Sequence, residues 1–232
     1  NTAIKVKIIK NKQEIVSCFI NSDHESLSLF FKMKTIETFI ISSVVPSINE
    51  KIKQINHETT IFLTHQHFPD LKIHVTPKES VGIDRLVNAV AVANTWDSDA
   101  IIIDIGTVVT FCRIKKGGDY YGGIIVPGFK MIRNALFQGA EQLPLVNFPS
   151  EKPVLVGQST EDAMSSGLFF GAIKMINGIR SEILNSEPHL KTILTGGVPT
   201  SLLNYLEFDH YDRDLQFKGL KMISELLEKD LH

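Results

Sequence analysis

At 232 residues and 25.9 kDa, with 43% hydrophobic and 22% charged residues, the chain has the size and composition of one large or two medium globular domains. Its net charge of −2, from 24 basic and 26 acidic residues, gives no general attraction to nucleic acid or to an anionic membrane surface. No apolar run approaches the roughly 18 residues needed to span a bilayer.

The chain starts at Asn1, without Met or a signal peptide, so the natural N-terminus is expected to lie upstream. Thr2–Ile9 alternates apolar and polar residues, the pattern of a half-buried strand, and Glu14–Ile20 returns from a turn at Lys10-Asn11-Lys12. Leu27, Phe30 and Phe31 predict a helix over Ser22–Lys34. The β-branched run Thr38–Val45 predicts a strand, and Pro46 suits the first turn of a helix reaching Ile55. Thr60–Leu63 reads as another strand. Gln66–Ser80 is polar and reads as a surface loop, where sites tend to be built. His65, His67 and His74 lack regular ligand spacing, so no metal centre is expected there. Gly82-Ile83-Asp84-Arg85 opens a helix that ends near Asn94–Trp96, with Asp84 as its N-cap and Leu86, Val87, Val90, Ala91 and Ala93 on its apolar side. Capping accounts for Asp84 but not for the Arg that follows it.

Ala100–Thr110 runs Ala-Ile-Ile-Ile-Asp-Ile-Gly-Thr-Val-Val-Thr. It reads as a buried strand Ala100–Ile105, a tight turn at Gly106-Thr107 and a returning strand Val108–Ile114. Two readings fit Asp-x-Gly-Thr alone: an ordinary hairpin, or a seat for a phosphate and its cation built from Asp104, bare N–H groups and the hydroxyls of Thr107 and Thr110. Tyr120–Val126 is a third strand and Phe129–Phe137 a helix, followed by an irregular, Pro-rich Gln142–Pro153. Ser159–Leu184 is the longest predicted helix. Ser159 caps it, with Asp162 three residues on, and Met164, Leu168, Ala172, Met175, Ile179 and Ile183 form its apolar stripe. Gly167, Gly171 and Gly178 on that helix would permit close packing against a second copy. Lys191–Thr195 is a short strand, Pro199 begins a helix, and Leu215–Leu231 closes the chain with Leu220, Ile223, Leu227 and Leu231 inward. Cys18 and Cys112 lie in apolar segments, as small buried thiols of a reducing compartment would. Both halves read strand–turn–strand–strand–helix, which suggests an internal duplication. The expected domains are 1–98 and 99–232.

Several motifs follow one another in a known order. Asn1-Thr2-Ala3-Ile4-Lys5 is similar to the end of an Asp-x-Gly-Asn-Thr-x-x-Lys phosphate loop without its first three residues. After it come Ser42-Ser43-Val44-Val45-Pro46, Gly82-Ile83-Asp84-Arg85, Asp104–Thr110, Gly122-Gly123-Ile124-Ile125-Val126-Pro127-Gly128, Gly157-Gln158-Ser159-Thr160 and Thr195-Gly196-Gly197. The chain resembles the type III pantothenate kinases of the acetate and sugar kinase/Hsp70/actin superfamily. The resemblance implies an α/β fold of duplicated actin/ribonuclease H-like domains, mixed sheets flanked by helices, and a nucleotide cleft between them. It implies ATP-dependent phosphorylation of pantothenate to 4'-phosphopantothenate, the first step of coenzyme A biosynthesis, by a cytoplasmic homodimer. It also implies a monovalent cation, K⁺ or NH₄⁺, with Mg²⁺ on the ATP. Asp84 would be the general base. Gly82, Ile83, Asp84 and Arg85 would line the substrate pocket with Thr160 and His74. Asn1, Thr2, Gly106, Thr107 and Thr110 would contact ATP, and Asp104 would bind the cation. The alternative is a non-catalytic regulatory relative that keeps the fold and nucleotide cleft. Three departures stand out: His74 and Val75 near the place of the family's pocket Tyr, Val108-Val109 where a small residue and a Thr are usual, and the absent first residues of the N-terminal loop.

Overall fold

The computed structural model describes residues 3–10, 13–21, 28, 38–43, 46–55 and 59–230. The expected helix over Ser22–Lys34, apart from Ser28, lies outside the described residues, as do Asn1, Thr2, Val44, Val45 and Leu231. Among the described residues, contacts group the chain into two compact units. One comprises Asn1–Lys72, Thr76–Ala91 and Gln216–His232, the other Ile73–Val75 and Val92–Leu215.

The first unit opens with the expected hairpin, β1 (Ala3–Lys10) antiparallel to β2 (Gln13–Asn21). β3 (Thr38–Ile41) then leads into α1 (Pro46–Ile55), which begins at Pro46 as the sequence predicts, and β4 (Thr59–Phe62) returns parallel to β3. The helical crossover α1 is what allows β3 and β4 to lie parallel, since a tight turn can join only antiparallel neighbours. α2 (Ile83–Thr95) buries Leu86, Val87, Ala89 and Ala91 completely, a broader apolar surface than the one-sided stripe that the sequence predicts. The closing helix α6 (Leu215–Asp230) leans on α2 at Gly219, where a Cβ would lie 2.8 Å from Val87 Cγ1.

The second unit is built on a five-stranded sheet ordered β7-β6-β5-β8-β9. β5 (Ala100–Ile105) and β6 (Val108–Ile114) pair antiparallel, and β7 (Tyr120–Pro127) continues the meander. β8 (Lys191–Gly196) lies parallel on the other side of β5, with the short β9 (His210–Tyr211) beyond it. This mixed sheet, flanked by helices, is the α/β arrangement that the motif order implies. α3 is Phe129–Gly139. α4 is Thr160–Ser186, where Ser159 Oγ accepts the Asp162 amide at 3.1 Å, the cap predicted from sequence. α5 (Thr200–Leu203) follows Pro199.

β5 has no polar face, so helices or loops must cover it on both sides. Ile101, Ile103 and Ile105 share one core with Val109 and Phe111 of β6 and with Phe169, Ala172, Ile173 and Ile176 of α4. Strand alternation sends Ile102 and Asp104 to the opposite face. Met164, Leu168 and Ala172 of the predicted stripe are buried, while Met175, Ile179 and Ile183 pack at the core's edge. Gly167 and Gly171 are exposed, and a Cβ on them or on Gly178 would meet nothing within 4 Å.

Charged groups tie the sheet at the end remote from Gly106. Asp99, just before β5, accepts the Lys116 amide at 2.8 Å and faces His189 at 3.4 Å, while its carbonyl accepts the Lys191 amide at 3.0 Å. The Arg113 guanidinium grips Glu187 with two hydrogen bonds beside it, which raises the Arg113 pKa and holds the Glu187 carboxyl low. The Lys116 amide likewise holds the Asp99 carboxyl below its ordinary value, against the opposing effect of burial, with His189 assisting. A carboxyl lowered by folding stabilises the protein above its unfolded pKa, about 3.9 for Asp, and loses that contribution as pH falls through the folded value. The urea midpoint should therefore fall as pH drops below about 4. Asp99→Asn should fall less steeply over the same range, and identical slopes would rule Asp99 out as a contributor.

Candidate active site

Asp104, Gly106, Thr107 and Thr110 lie at the C-terminal end of β5 and in the turn and strand that follow it. Asp104 is paired across the sheet with Thr110 on the antiparallel side and with Thr195 on the parallel side. Residues directly opposite each other in a sheet project from the same face. A carboxylate therefore stands in a row between two hydroxyls, those of Thr110 and Thr195, which are 7% and 2% exposed. These are hard oxygen donors of the kind that suit an alkali or alkaline-earth cation rather than a soft metal.

Just past Asp104 the chain turns. Gly106 N–H donates to Val108 O at 3.0 Å, and Gly106 and Thr107 are exposed at the tip. Two other segments close on this turn through glycine. Gly128, which precedes α3, donates its N–H to Thr107 O at 3.2 Å, and a Cβ there would lie 2.5 Å from Gly106 O and 2.7 Å from Thr107 C. Gly196, at φ +88°, is the last residue of β8, and a Cβ on it would sit 2.5 Å from Ile105 O and closer still to Asp104 Oδ1. Gly197 N–H then donates to Ile105 O at 2.6 Å. Three segments distant in sequence thus meet at one loop without a side chain between them. A bare, exposed turn beside a carboxylate row has the backbone and oxygen donors that a phosphate and a cation require. Thr195 was not among the residues singled out from sequence. Its motif was visible, but its place beside Asp104 depends on a parallel pairing across 91 residues of chain.

The first unit carries the Gly82-Ile83-Asp84-Arg85 motif. The expectation that Asp84 is an N-cap is corrected. The helix starts at Ile83, and the Gly82 carbonyl accepts from Arg85 N at 3.1 Å and Leu86 N at 3.3 Å. Asp84 therefore lies inside the first turn, where its Oδ1 accepts the Arg85 amide at 2.9 Å and the helix dipole favours a carboxylate. Asp84 and Arg85 are both half-buried, and Arg85 Nη2 donates to Ser80 O at 3.3 Å. Ile83 is buried beneath them.

The three histidines have separate settings. His65 Nε2 lies 2.9 Å from Val81 O, and His67 Nδ1 accepts the Thr64 amide at 3.0 Å within one short turn. His74 belongs to the second unit: its N–H donates to Tyr120 O at 2.8 Å, its ring stacks on Tyr121 at 4.2 Å, and Nε2 is 3.4 Å from Asp119 Oδ2. Thr160 begins α4 and is exposed. Asn1 and Thr2 lie outside the described residues.

The sequence profile of the type III pantothenate kinase family matches residues 1–182. The chain belongs to the type III pantothenate kinases. It is 34% identical over 212 residues to a type III pantothenate kinase of Exiguobacterium sp. (strain ATCC BAA-1283 / AT1b), covering 89% of this chain and 82% of that one. The type III pantothenate kinase of Persephonella marina (strain DSM 14350 / EX-H1) is 33% identical over 239 residues, covering 95% and 93% of the two chains. Among solved structures, a Campylobacter jejuni protein described as a conserved Baf family transcriptional activator aligns over 92% of both chains with a TM-score of 0.60 and 22% identity. That level of likeness speaks for a shared fold alone.

The pantothenate kinase loop around Asp104 depends on backbone approach, which gives a direct test. Gly196→Ala forces a strained φ and pushes a methyl group onto the Asp104 carboxylate. It should cost about 1–3 kcal/mol of stability in urea unfolding. A cost near zero would show that the loop tolerates a side chain there.

Proposed function

We propose that this chain carries out its family's reaction, ATP-dependent phosphorylation of pantothenate to 4'-phosphopantothenate at the start of coenzyme A biosynthesis, with Asp84 as general base. The observation that carries the assignment of roles is the pairing of Asp84 with Arg85 on the first turn of α2, half-buried and adjacent. The acceptor is a primary alcohol, a poor nucleophile until its proton is taken. Asp84 accepts that proton as the alcohol oxygen attacks the γ-phosphorus; the new O–P bond forms while the bond to the β–γ bridging oxygen breaks, and ADP leaves. Arg85 pairs with the substrate carboxylate, a guanidinium–carboxylate match that favours bidentate geometry. Gly82 and Ile83 line the same pocket, and Thr160 supplies a further hydroxyl.

Phosphoryl transfer rests on positioning and charge neutralisation more than on covalent chemistry. The Gly106-Thr107 turn offers an exposed backbone and hydroxyl to the nucleotide phosphates. Asp104, with Thr110 and Thr195 in its row, would hold a monovalent cation, K⁺ or NH₄⁺, which supplies positive charge near the phosphates when bound. Mg²⁺ arrives with ATP. Among the described residues no helix is long and apolar enough to cross a membrane. We place the enzyme in the cytoplasm beside its nucleotide supply, as a homodimer joined through the Gly167–Gly178 face of α4. A regulatory relative without turnover is not favoured, because Asp84 and Arg85 are both retained.

Asp84→Asn should fold normally, with an unchanged melting temperature, and lose about 10²–10⁴-fold in phosphopantothenate formation. Wild-type turnover in that variant would remove Asp84 from the mechanism. Replacing K⁺ by Na⁺ should lower wild-type turnover and leave Asp104→Asn, already slow, nearly insensitive to the exchange. A variant that still responds fully to K⁺ would place the cation elsewhere.

A further inference from the structure

We infer that His65 is a positioning residue for the substrate motif, acting on Arg85 through the backbone of Lys78–Val81. The inference rests on the reading of Gly82–Arg85 as the pantothenate motif and extends it to a side chain that no motif marks.

His65 lies in a short 3₁₀ turn, His65–His67, closed by Thr64 and His67: the Thr64 amide donates to His67 Nδ1 at 3.0 Å, and the His67 amide donates to Thr64 O at 3.0 Å. From that turn the half-buried His65 ring reaches 16 residues along the chain to Val81 O, at 2.9 Å. A carbonyl only accepts, so Nε2 carries the proton and donates. Val81 is the residue before Gly82, and its own side chain is 2% exposed. The peptide that enters the substrate motif is thus held by a buried side chain on one side and the His65 hydrogen bond on the other.

The segment it holds also holds Arg85. Lys78–Ser80 forms a second 3₁₀ turn, in which Val81 N donates to Lys78 O at 3.2 Å and Ser80 Oγ donates to Pro77 O at 2.7 Å. The Ser80 carbonyl of that turn is the acceptor for Arg85 Nη2 at 3.3 Å. Ser80 and Val81 are neighbours, so release of the Val81 carbonyl frees the peptide next to the one that steadies the guanidinium. A long side chain fixed before the ligand arrives loses less entropy on binding. The gain should appear in pantothenate affinity. It should not appear in the chemical step or in nucleotide binding, because the hydrogen bond that His65 makes is to the Val81 carbonyl, ahead of the motif.

The test uses the full chain in three forms, wild type, His65→Leu and His65→Gln, the last keeping an N–H donor at the reach of Nε2. His65→Leu should raise the pantothenate KM about tenfold, the upper end of what loss of one half-buried hydrogen bond does, with kcat and the ATP KM within about twofold of wild type. His65→Gln should recover most of that loss. Amide exchange over Lys78–Arg85, read without substrate, should quicken in His65→Leu and stay near wild type in His65→Gln. An unchanged pantothenate KM in His65→Leu, a Gln variant no better than Leu, or kcat and ATP KM moving together with it would each overturn the inference. Wild type that fails to phosphorylate pantothenate would instead overturn the functional reading, while equal exchange in all three proteins would still show that His65 holds nothing.

Discussion

The structure of the second unit depends on β5 being hydrogen-bonded on both sides and buried on both faces. A strand in that position has no freedom of register: a one-residue slip would carry Ile101, Ile103 and Ile105 off the α4 core and put Asp104 into it. Burying an ionised carboxylate among Phe111, Phe169 and Ile176 is far costlier than any gain from the slipped pairing. The same apolar alternation that folds the sheet therefore delivers Asp104 to the opposite face, at the strand's end. The placement of the Asp104 carboxylate is in this way a by-product of core packing.

What happens after Asp104 is governed by absence of side chains. Gly128 comes from the start of α3 and Gly196 from the end of β8, and each approaches the Ile105–Thr107 backbone closely enough to exclude a Cβ. Gly196 answers a second demand as well, since its φ of +88° is costly for any residue with a Cβ. The loop is therefore fixed by the start of one helix and the end of one strand as well as by its own sequence. That suits a phosphate seat, where rigid backbone must stand close to a highly charged ligand and where a bulky or mobile side chain would keep the ligand away.

Much of this was legible in the sequence, for reasons that can be named. β5 announces itself because a continuous Ile run bounded by Asp and Gly fits few other structures, and α4 because Ser159, Asp162 and a stripe from Met164 to Ile183 agree on start and face. Pro46 fixed a helix start because its ring already has helical φ. The failures share one feature, dependence on partners remote in sequence. The parallel return of β4 on β3 is not written in either strand, and neither is Thr195 beside Asp104. Asp84 is displaced from the cap because the Gly82 carbonyl opens the hydrogen-bond ladder two residues earlier, a boundary choice that propensity does not resolve. His74 is a separate case: the motif order sets it near the place of the family's pocket Tyr, and what the sequence does not show is its stacking on Tyr121 of β7, which goes with the docking of Ile73 on Tyr120.

The Val108-Val109 departure, which reads from sequence as a hydroxyl missing near the phosphates, takes on a different meaning in the sheet. Val109 is opposite Ile105, is fully buried and belongs to the α4-facing core. A threonine there would direct its hydroxyl into that core and not toward the Asp104 row. Thr110, one residue on, occupies the row and is retained, while Val108 lies at the exposed edge of the turn. Alternation thus sorts the three residues Val108, Val109 and Thr110 by face, and the substitution falls on the face where an apolar side chain is the better fit. Thr110 and Thr195 stand opposite Asp104 whatever occupies position 109, so the departure leaves that row unchanged.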